Sequence, residues 1–172
     1  FQDFLRLKLS RSRNDPSPRV LGIDEHFFSR KDGYATTLCD LGNHKIYDVV
    51  LGRTEVALKG YLETVPDKAK TKVVVMDLSE TYRSIVKKHF PMAKIVADRF
   101  HVIRLVNHHF LKTWQVIDPL GRKNRGLLSL MRRHEEKLKP DQRLRLFHYF
   151  GQFPALQFIW EFKQKLARLL LL

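Results

Sequence analysis

Three aspartates stand at the ends of short apolar segments, where their type and spacing could support metal-dependent chemistry. Asp24 ends the first such segment, Asp77 follows Val73–Met76, and Asp98 follows Lys94–Ala97. In open α/β sheets, ligands gather beyond the carboxyl ends of the strands. Neighbouring carboxylates repel each other unless a cation lies between them, and hard oxygen ligands select Mg²⁺ or Mn²⁺. The pattern therefore predicts a divalent metal site that could activate water or a 3′-hydroxyl against a phosphodiester.

A local structural role is the alternative for each aspartate. An aspartate after a strand is also a common helix N-cap or turn residue. Asp77, which precedes Leu78-Ser79-Glu80, is suited to such a cap in its own right. Three acids at strand ends in one small basic chain make the structural explanation weaker for the set than for any single member.

The elements that must position these acids follow from the periodicity of the chain. Three strand-like segments come first, and short turns at Asp32-Gly33 and Gly42-Asn43 join them into an antiparallel meander. The predicted strands are Val20–Phe28, Tyr34–Leu41 and Lys45–Leu51.

Helical and strand patterns alternate after the meander. Two strands with a helix between them form a βαβ unit, which makes the two strands parallel. The predicted elements are a helix over Glu55–Val65, a strand over Val73–Met76, a helix over Ser79–Phe90, a strand over Lys94–Ala97 and a helix from Val102. The order β-β-β-α-β-α-β-α predicts an α/β fold with the layout of the ribonuclease-H-like class.

The same patterns predict three regions along the chain. Residues 20–117 form the ribonuclease-H-like core, which is partial. Residues 118–172 form a basic, all-helical region, which is expected to be truncated. Residues 1–19 are basic and rich in turn-forming residues, which is typical of a linker from an upstream domain.

The net charge of the sequence predicts the chemical class of its binding partner. The chain of 172 residues carries 32 Lys and Arg against 18 Asp and Glu, a formal net charge of +14. A polyanion such as double-stranded DNA would explain this excess, which is larger in residues 101–172 than before them. The helical region contributes five candidate phosphate contacts, which are Arg122, Lys123, Arg125, Arg132 and Arg133.

Cysteine usage and hydropathy narrow the class of protein. The single cysteine, Cys39, excludes an internal disulfide framework and a cysteine-rich zinc finger. No apolar run approaches the length of a membrane span, and no signal peptide opens the sequence. We expect a protein without membrane association, in a reducing cytoplasm.

Five motifs, in this order and spacing, resemble the catalytic domain of the transposases of ISL-three insertion sequences. Gly22–Glu25 reads GIDE and Arg30–Tyr34 reads RKDGY, and Gly52-Arg53 follows. Met76–Tyr82 matches a pattern of Met-Asp-Leu with a later Tyr. Most specific is Phe90–Val102, FPMAKIVADRFHV, which is similar to the FPNA-x-IV-x-DRFHV signature of that family.

The resemblance implies a DDE transposase, an enzyme that cuts the ends of a mobile element and joins them to target DNA with Mg²⁺ or Mn²⁺. It implies that Asp24 and Asp77 are the first two catalytic carboxylates and metal ligands. Asp98 is a further possible metal ligand. Arg53, Arg99 and His101 match motif positions and become candidate DNA contacts, with a local salt bridge as the alternative for the two arginines. Such enzymes generally act as homo-oligomers on paired DNA ends.

The third acid of the triad is not matched in this chain. The family carries a Glu on a later helix, after a helical insertion that residues 118–172 resemble. None of Glu135, Glu136 and Glu161 stands in the context of that Glu. We therefore expect the third acid to lie outside the chain and the chain alone to be inactive. The family also carries a DNA-binding region upstream, which implies that residues 1–19 are a linker from such a region. The remaining alternatives are another nuclease of the same fold, such as a junction resolvase or a ribonuclease, and a non-catalytic remnant that binds DNA.

Overall fold

The computed structural model describes residues 15–31 and 33–170, and it is a mixed α/β structure of two compact units. The sheet unit ends at Asp98, and the helical unit begins at Arg99. This division falls before the boundary at residue 117 that the sequence suggests, because the helix after Asp98 belongs to the helical unit by its contacts.

In the part of the chain that the structure describes, the sheet unit contains five strands, which are β1 (Val20–Ser29), β2 (Gly33–Asp40), β3 (Lys45–Leu51), β4 (Val73–Met76) and β5 (Lys94–Ala97). Their order in the sheet is β3-β2-β1-β4-β5. The first three strands pair antiparallel, and β4 and β5 continue the sheet in parallel to β1. The predicted meander and βαβ unit are both confirmed.

Two helices, α1 (Glu55–Thr64) and α2 (Glu80–His89), connect the strands of this unit. Each begins at a hydroxyl N-cap, because Thr54 and Ser79 accept hydrogen bonds from backbone amides of the first turn. The apolar faces of both helices and one face of the sheet form one core. Its buried members are Leu21, Ile23, Leu38, Tyr47, Leu58, Leu62, Val74, Met76, Tyr82, Ile85, Val86 and Phe90.

Of the segment predicted as a linker, residues 1–14 lie outside the described residues, and residues 15–19 contact the sheet unit. Ser17 is buried, and its backbone amide donates a hydrogen bond of 3.1 Å to the carbonyl of Pro66. The hydroxyls of Ser17 and Thr71 lie 2.6 Å apart. Tyr47 donates from its hydroxyl to the carbonyl of Asp15 at 2.9 Å. The start of the described chain is therefore part of the folded unit.

Up to residue 170, where the described part of the chain ends, the helical unit contains five α-helices joined by short connections. Prolines at Pro119, Pro140 and Pro154 stand in the first turn of three of them, where a missing amide proton is harmless. The helices are α3 (Arg99–Ile117), α4 (Pro119–Lys123), α5 (Arg125–Arg132), α6 (Pro140–Gln152) and α7 (Pro154–Leu169). Within the described part of the chain, no helix is long and apolar enough to cross a membrane.

A hydrogen-bonded chain of side chains fixes the turn between α3 and α4. The indole of Trp114 donates to the hydroxyl of Tyr149 at 2.8 Å, and that hydroxyl donates to Asp118 at 2.5 Å. Burial and the Asp118 carboxylate raise the pKa of Tyr149 to about 12. A Cβ atom at Gly121 would clash with the Asp118 carboxylate and the Tyr149 hydroxyl, so a larger residue would have to displace this hydrogen-bonded pair.

Side chains of α7 cap the C-terminal end of α5. The carbonyl of Met131 accepts hydrogen bonds from the Trp160 indole at 3.3 Å and from the Lys163 ammonium at 2.5 Å. Gln164 donates to the carbonyl of Arg133 at 2.9 Å. These carbonyls have no partner within α5, so the contacts from α7 satisfy them. A cation at this position also complements the helix dipole.

Lys163 makes the stability of the protein depend on pH in an unusual direction. The residue is 5% exposed, and burial lowers its pKa from 10.5 to about 8. The unfolded chain therefore binds more protons than the folded chain between pH 8 and 10.5. The contribution of this group to the free energy of unfolding thus rises with pH across that window, by at most about 3 kcal/mol.

We predict that Lys163→Met gains stability relative to wild type most below pH 8, and that this difference shrinks toward pH 10.5. The measurement is urea unfolding of both proteins at pH 7 and pH 10.5, because other titrating groups cancel in the difference. Lys165→Met, an exposed neighbour on the same helix, is the control. A difference that does not change with pH would contradict the prediction.

Candidate functional site

The parallel register of the sheet brings the three predicted acids to one edge. Ile23 pairs with Met76, and Met76 pairs with Ala97. The next residues along the three strands are Asp24, Asp77 and Asp98. Asp77 and Asp98 follow the ends of β4 and β5 as predicted, whereas the strand end predicted at Asp24 is wrong, because β1 continues to Ser29 through its pairing with β2. Since neighbouring strands lie about 4.8 Å apart, the acids follow one another across β1, β4 and β5 at the carboxyl ends of β4 and β5. The amide of Asp98 donates to the carbonyl of Met76 at 2.6 Å, and this bond holds Asp98 against the end of β4.

Strand alternation separates these acids from the core. Ile23 and Met76 are buried in the core that packs under α1 and α2. Successive side chains on a strand point to opposite faces, so Asp24 lies on the other face from Ile23. Asp24 is exposed, whereas Asp77 and Asp98 are half-buried. The site can therefore be reached by solvent on the face away from the core helices.

Local backbone bonds hold two of the carboxylates. Asp77 accepts a hydrogen bond of 3.0 Å from the amide of Ser79, at the turn into α2. Asp24 accepts one of 2.9 Å from the amide of Glu25. Each bond uses one carboxylate oxygen, and an ionised carboxylate accepts about four such bonds. The N-cap of α2 is therefore Ser79 and not Asp77, whose bond closes the turn before the helix. Asp77 retains the capacity to bind a cation.

The donor set that the structure brings together is a partial one for a metal. In residues 15–31 and 33–170, no group of three or more His, Cys, Asp or Glu side chains is arranged to hold a metal ion. Asp24 and Asp77 supply hard oxygen donors on adjacent strands, which suits Mg²⁺ or Mn²⁺. These two residues fit such an ion as part of a larger ligand set.

A buried hydroxyl pair lies beside the acids and was not predicted from the sequence. The hydroxyl of Thr36 donates to the carbonyl of Gly52 at 2.7 Å. Because its one proton is used there, the 2.8 Å bond between Thr36 and Tyr82 has the Tyr82 hydroxyl as donor. Both side chains are 1% exposed. The first turn of α2, which follows Asp77, is thereby tied to β2 and to the end of β3.

The charges of the nearby acids affect the pKa of the Tyr82 hydroxyl. Burial raises the pKa of Tyr82, and the charges of Glu25, Asp77 and Asp24 raise it further. The only sequence signal for this residue is its place in the motif of Met76–Tyr82. No pattern in the sequence points to Thr36, because its role depends on a contact between distant segments.

Arg53 occupies a defined position next to the acids. Its guanidinium lies 3.2 Å from the Glu25 carboxylate and 3.8 Å above the ring centre of Tyr34. Gly52, at φ +95°, holds the preceding turn, and a Cβ atom there would lie 2.5 Å from Ala57. The salt bridge that the sequence analysis left as an alternative is therefore present. A DNA phosphate at Arg53 would have to compete with Glu25.

Arg99 and His101, the other two motif residues predicted to contact DNA, lie on α3 in the helical unit. Arg99 donates to the carbonyl of Leu170, at the C-terminal end of α7, at 3.4 Å. His101 is half-buried, and its Nδ1 lies 3.2 Å from the guanidinium of Arg104. A guanidinium can only donate, so this Nδ1 accepts the hydrogen bond. Both residues thus have contacts within their own unit.

The five basic residues predicted as DNA contacts lie around α4 and α5. Arg122 is half-buried, with its guanidinium carbon 5.9 Å from the ring centre of Trp114. The other four are exposed, and Arg133 donates to Gln142 at 3.4 Å. The exposed members are Lys123, Arg125, Arg132 and Arg133.

Cys39 shares a face with the site. It pairs with Gly22 on β1, two positions before Asp24. Burial raises the pKa of the thiol, and the charge of Asp24 raises it further. As the single cysteine of the chain, it is a selective chemical reporter on this face of the sheet.

We predict that Asp24→Asn increases the rate at which Cys39 reacts with a thiol reagent at pH 7.5, by about two- to threefold. Removal of the charge lowers the thiol pKa toward its ordinary value and increases the thiolate fraction. The measurement is the absorbance change with an aromatic disulfide under pseudo-first-order conditions. Asp67→Asn, an exposed acid that pairs with Lys70, should leave the rate unchanged. Equal rates in wild type and Asp24→Asn would contradict the expectation.

Comparison with known proteins places this sheet and its helices in a family. A family model described as "Transposase" matches residues 21–171. The transposase for insertion sequence element IS1001 of Bordetella parapertussis is 25% identical over 178 residues, which cover 97% of this chain and 44% of that protein. The chain therefore spans less than half the length of this relative. Because the family model matches most of the chain, the protein belongs to the DDE transposases of the ISL-three family.

Proposed function

We propose that the chain is part of the catalytic region of a transposase that moves an insertion sequence by metal-dependent phosphodiester cleavage and strand transfer at the ends of the element. The observation that carries this proposal is the register that puts Asp24, Asp77 and Asp98 at one sheet edge. The strand order β3-β2-β1-β4-β5 supports a ribonuclease-H-like core for residues 20–117. Residues 118–172 would then be the basic helical insertion.

In this proposal Asp24 and Asp77 hold Mg²⁺ or Mn²⁺, and Asp98 is a further ligand or a supporting residue. The bound metal would activate the attacking oxygen and stabilise the charge of the leaving oxygen. Asp77 is oriented by its bond from Ser79, and the Tyr82–Thr36 contact holds the start of α2 behind it. The third acid is a Glu outside this chain, so the chain alone is inactive.

The partner in this proposal is double-stranded DNA, at the ends of the element and at its target. The net charge of +14 supports it, as do the exposed Lys123, Arg125, Arg132 and Arg133. We further propose that the whole protein acts as a homo-oligomer on paired ends, in the cytoplasm and at the nucleoid.

A DNA-binding remnant without catalysis is the second candidate function. The observation that favours it is that the described residues contain no group of three metal-binding side chains. A different nuclease of the same fold would cleave RNA–DNA hybrids or four-way junctions without preference for transposon ends. Metal binding separates the catalytic proposals from the remnant.

We predict that the chain binds Mn²⁺ and that Asp24→Asn and Asp77→Asn each weaken binding at least about tenfold, because each removes a hard anionic ligand. Isothermal titration calorimetry measures this without any need for activity. Asp67→Asn, on an exposed turn of the same unit, is the matched control. The variant Asp98→Asn tests whether Asp98 is a further metal ligand.

The outcome that would contradict the metal site is an unchanged titration in both Asp24→Asn and Asp77→Asn. Absence of Mn²⁺ binding in the wild-type chain, together with intact DNA binding, would favour the remnant.

We predict that affinity for a DNA duplex falls linearly on a plot of log K against log salt concentration. Lys123→Gln and Arg125→Gln should each reduce the slope by about 0.9 if the side chain contacts one phosphate. Fluorescence anisotropy with a labelled duplex at several salt concentrations gives these slopes. Lys59→Gln, an exposed residue of α1, is the control in the sheet unit. A flat plot for the wild-type chain would exclude phosphate contacts as the basis of binding.

A further inference from the structure

The helical unit contains two adjoining pockets along α3 that the proposed chemistry does not use. They share Ile103, Asn107 and Arg132. The wider pocket has a volume of about 400 Å³, and the narrower one extends from it to Lys163 of α7. We call the two together the α3 groove. The wider part is lined by Phe100, Ile103, Arg104, Asn107, His108, Leu111 and Arg132.

The charge of the α3 groove has one sign. Among the described residues, neither pocket is lined by an Asp or a Glu. The fixed cations on its walls are Arg104, Arg132, Arg133 and Lys163. By contrast, the groove between α6 and α7 is lined by Glu135 and Glu161 as well as a single arginine. The α3 groove is therefore complementary to an anion.

The buried cation strengthens this assignment. Lys163 donates to the carbonyl of Met131, and its ammonium lies 4.9 Å from the ring centre of Phe110. No carboxylate forms an ion pair with it among the described residues. The narrow pocket has a volume of about 20 Å³, which is room for one water molecule, so Lys163 adds positive charge to the wall of the groove and is not a direct contact.

An exposed aromatic ring distinguishes the wider pocket from a simple anion site. Phe100 is 66% exposed, and its ring is packed edge-on against His101, with ring centres 5.7 Å apart. Ile103 and Leu111 give the pocket apolar lining. A flat ring, an apolar wall and nearby guanidinium groups together match a nucleotide, which has a flat base and an anionic phosphate.

The exposed ring of Phe100 favours single-stranded over double-stranded DNA as the ligand. In a duplex the bases are stacked on one another and their faces are covered, whereas an unpaired strand can place a base on an aromatic side chain. We propose that the α3 groove binds a short single-stranded segment of DNA, with a base against Phe100 and backbone phosphates at Arg104 and Arg132. This inference rests on the proposed function, which supplies DNA as the partner.

The experiment compares a fluorescein-labelled oligothymidine of twelve nucleotides with the same strand in a duplex, by anisotropy on the full chain. Phe100→Ala should weaken binding of the single strand about tenfold, since it removes the ring on which the base stacks. Phe100→Trp should restore it. Binding of the duplex should change less than about twofold in both variants, because a duplex offers no free base face.

Matched controls separate stacking from charge. Phe147→Ala removes a ring that is 69% exposed but lines the groove that contains Glu135 and Glu161, and it should leave both affinities unchanged. Arg132→Gln should reduce the salt slope for the single strand by about 0.7, the value for one phosphate contact. Arg104→Gln should reduce the slope by the same amount, but this variant also removes the contact with His101. Arg132→Gln is therefore the variant that tests the phosphate contact.

Each outcome bears on the groove separately from the proposed function. Equal losses for single strand and duplex in Phe100→Ala, or no loss in either, would overturn the groove while leaving duplex and Mn²⁺ binding to support the transposase proposal. Full competition by millimolar inorganic phosphate, with no effect of Phe100→Ala, would reduce the groove to a site for anions and overturn the nucleotide. Failure of the wild-type chain to bind any DNA would overturn the groove and the DNA partner together, whereas the Mn²⁺ titration would still test the metal site.

Discussion

The pairing of β1 with β4, and of β4 with β5, is the constraint on which the candidate site depends. β4 and β5 have four residues each, so four paired positions fix where Asp77 and Asp98 stand relative to Asp24. A slip of one residue would turn each side chain to the other face of the sheet. The buried residues Ile23 and Met76 prevent such a slip, because it would expose them and bury the acids.

Contacts around the acids reinforce this placement from three directions. The Tyr82 hydroxyl ties the helix after Asp77 to Thr36 on β2, and Thr36 in turn holds the carbonyl that precedes Arg53. Arg53 returns to β1 through Glu25, directly after Asp24. The middle of β1 and the ends of β3 and β4 are thereby connected through side chains as well as through the backbone ladder. A site formed on connected strands is held more rigidly than one on free loops.

The sequence predicts the strands and their parallel pairing well, because periodicity and the βαβ pattern are local signals. Lys45–Leu51, Val73–Met76 and Lys94–Ala97 have the predicted bounds. The start of α3 was predicted at Val102, three residues late, because the motif residues before it carry no apolar periodicity. Long-range polar contacts were not predictable, since the Thr36–Tyr82 bond joins residues 46 positions apart. The metal and DNA roles of the candidate residues stay predictions.

The cap that α7 provides for α5 has a consequence for how the protein is made. The carbonyl of Met131 is bound by Trp160 and Lys163, side chains about 30 positions later in the chain. During synthesis at about 5–20 residues per second, α5 leaves the ribosome seconds before its cap exists. The helical unit therefore completes its fold only after α7 has emerged. A premature stop codon before Trp160 would leave the sequence of α5 complete but would remove the side chains that bind its C-terminal carbonyls.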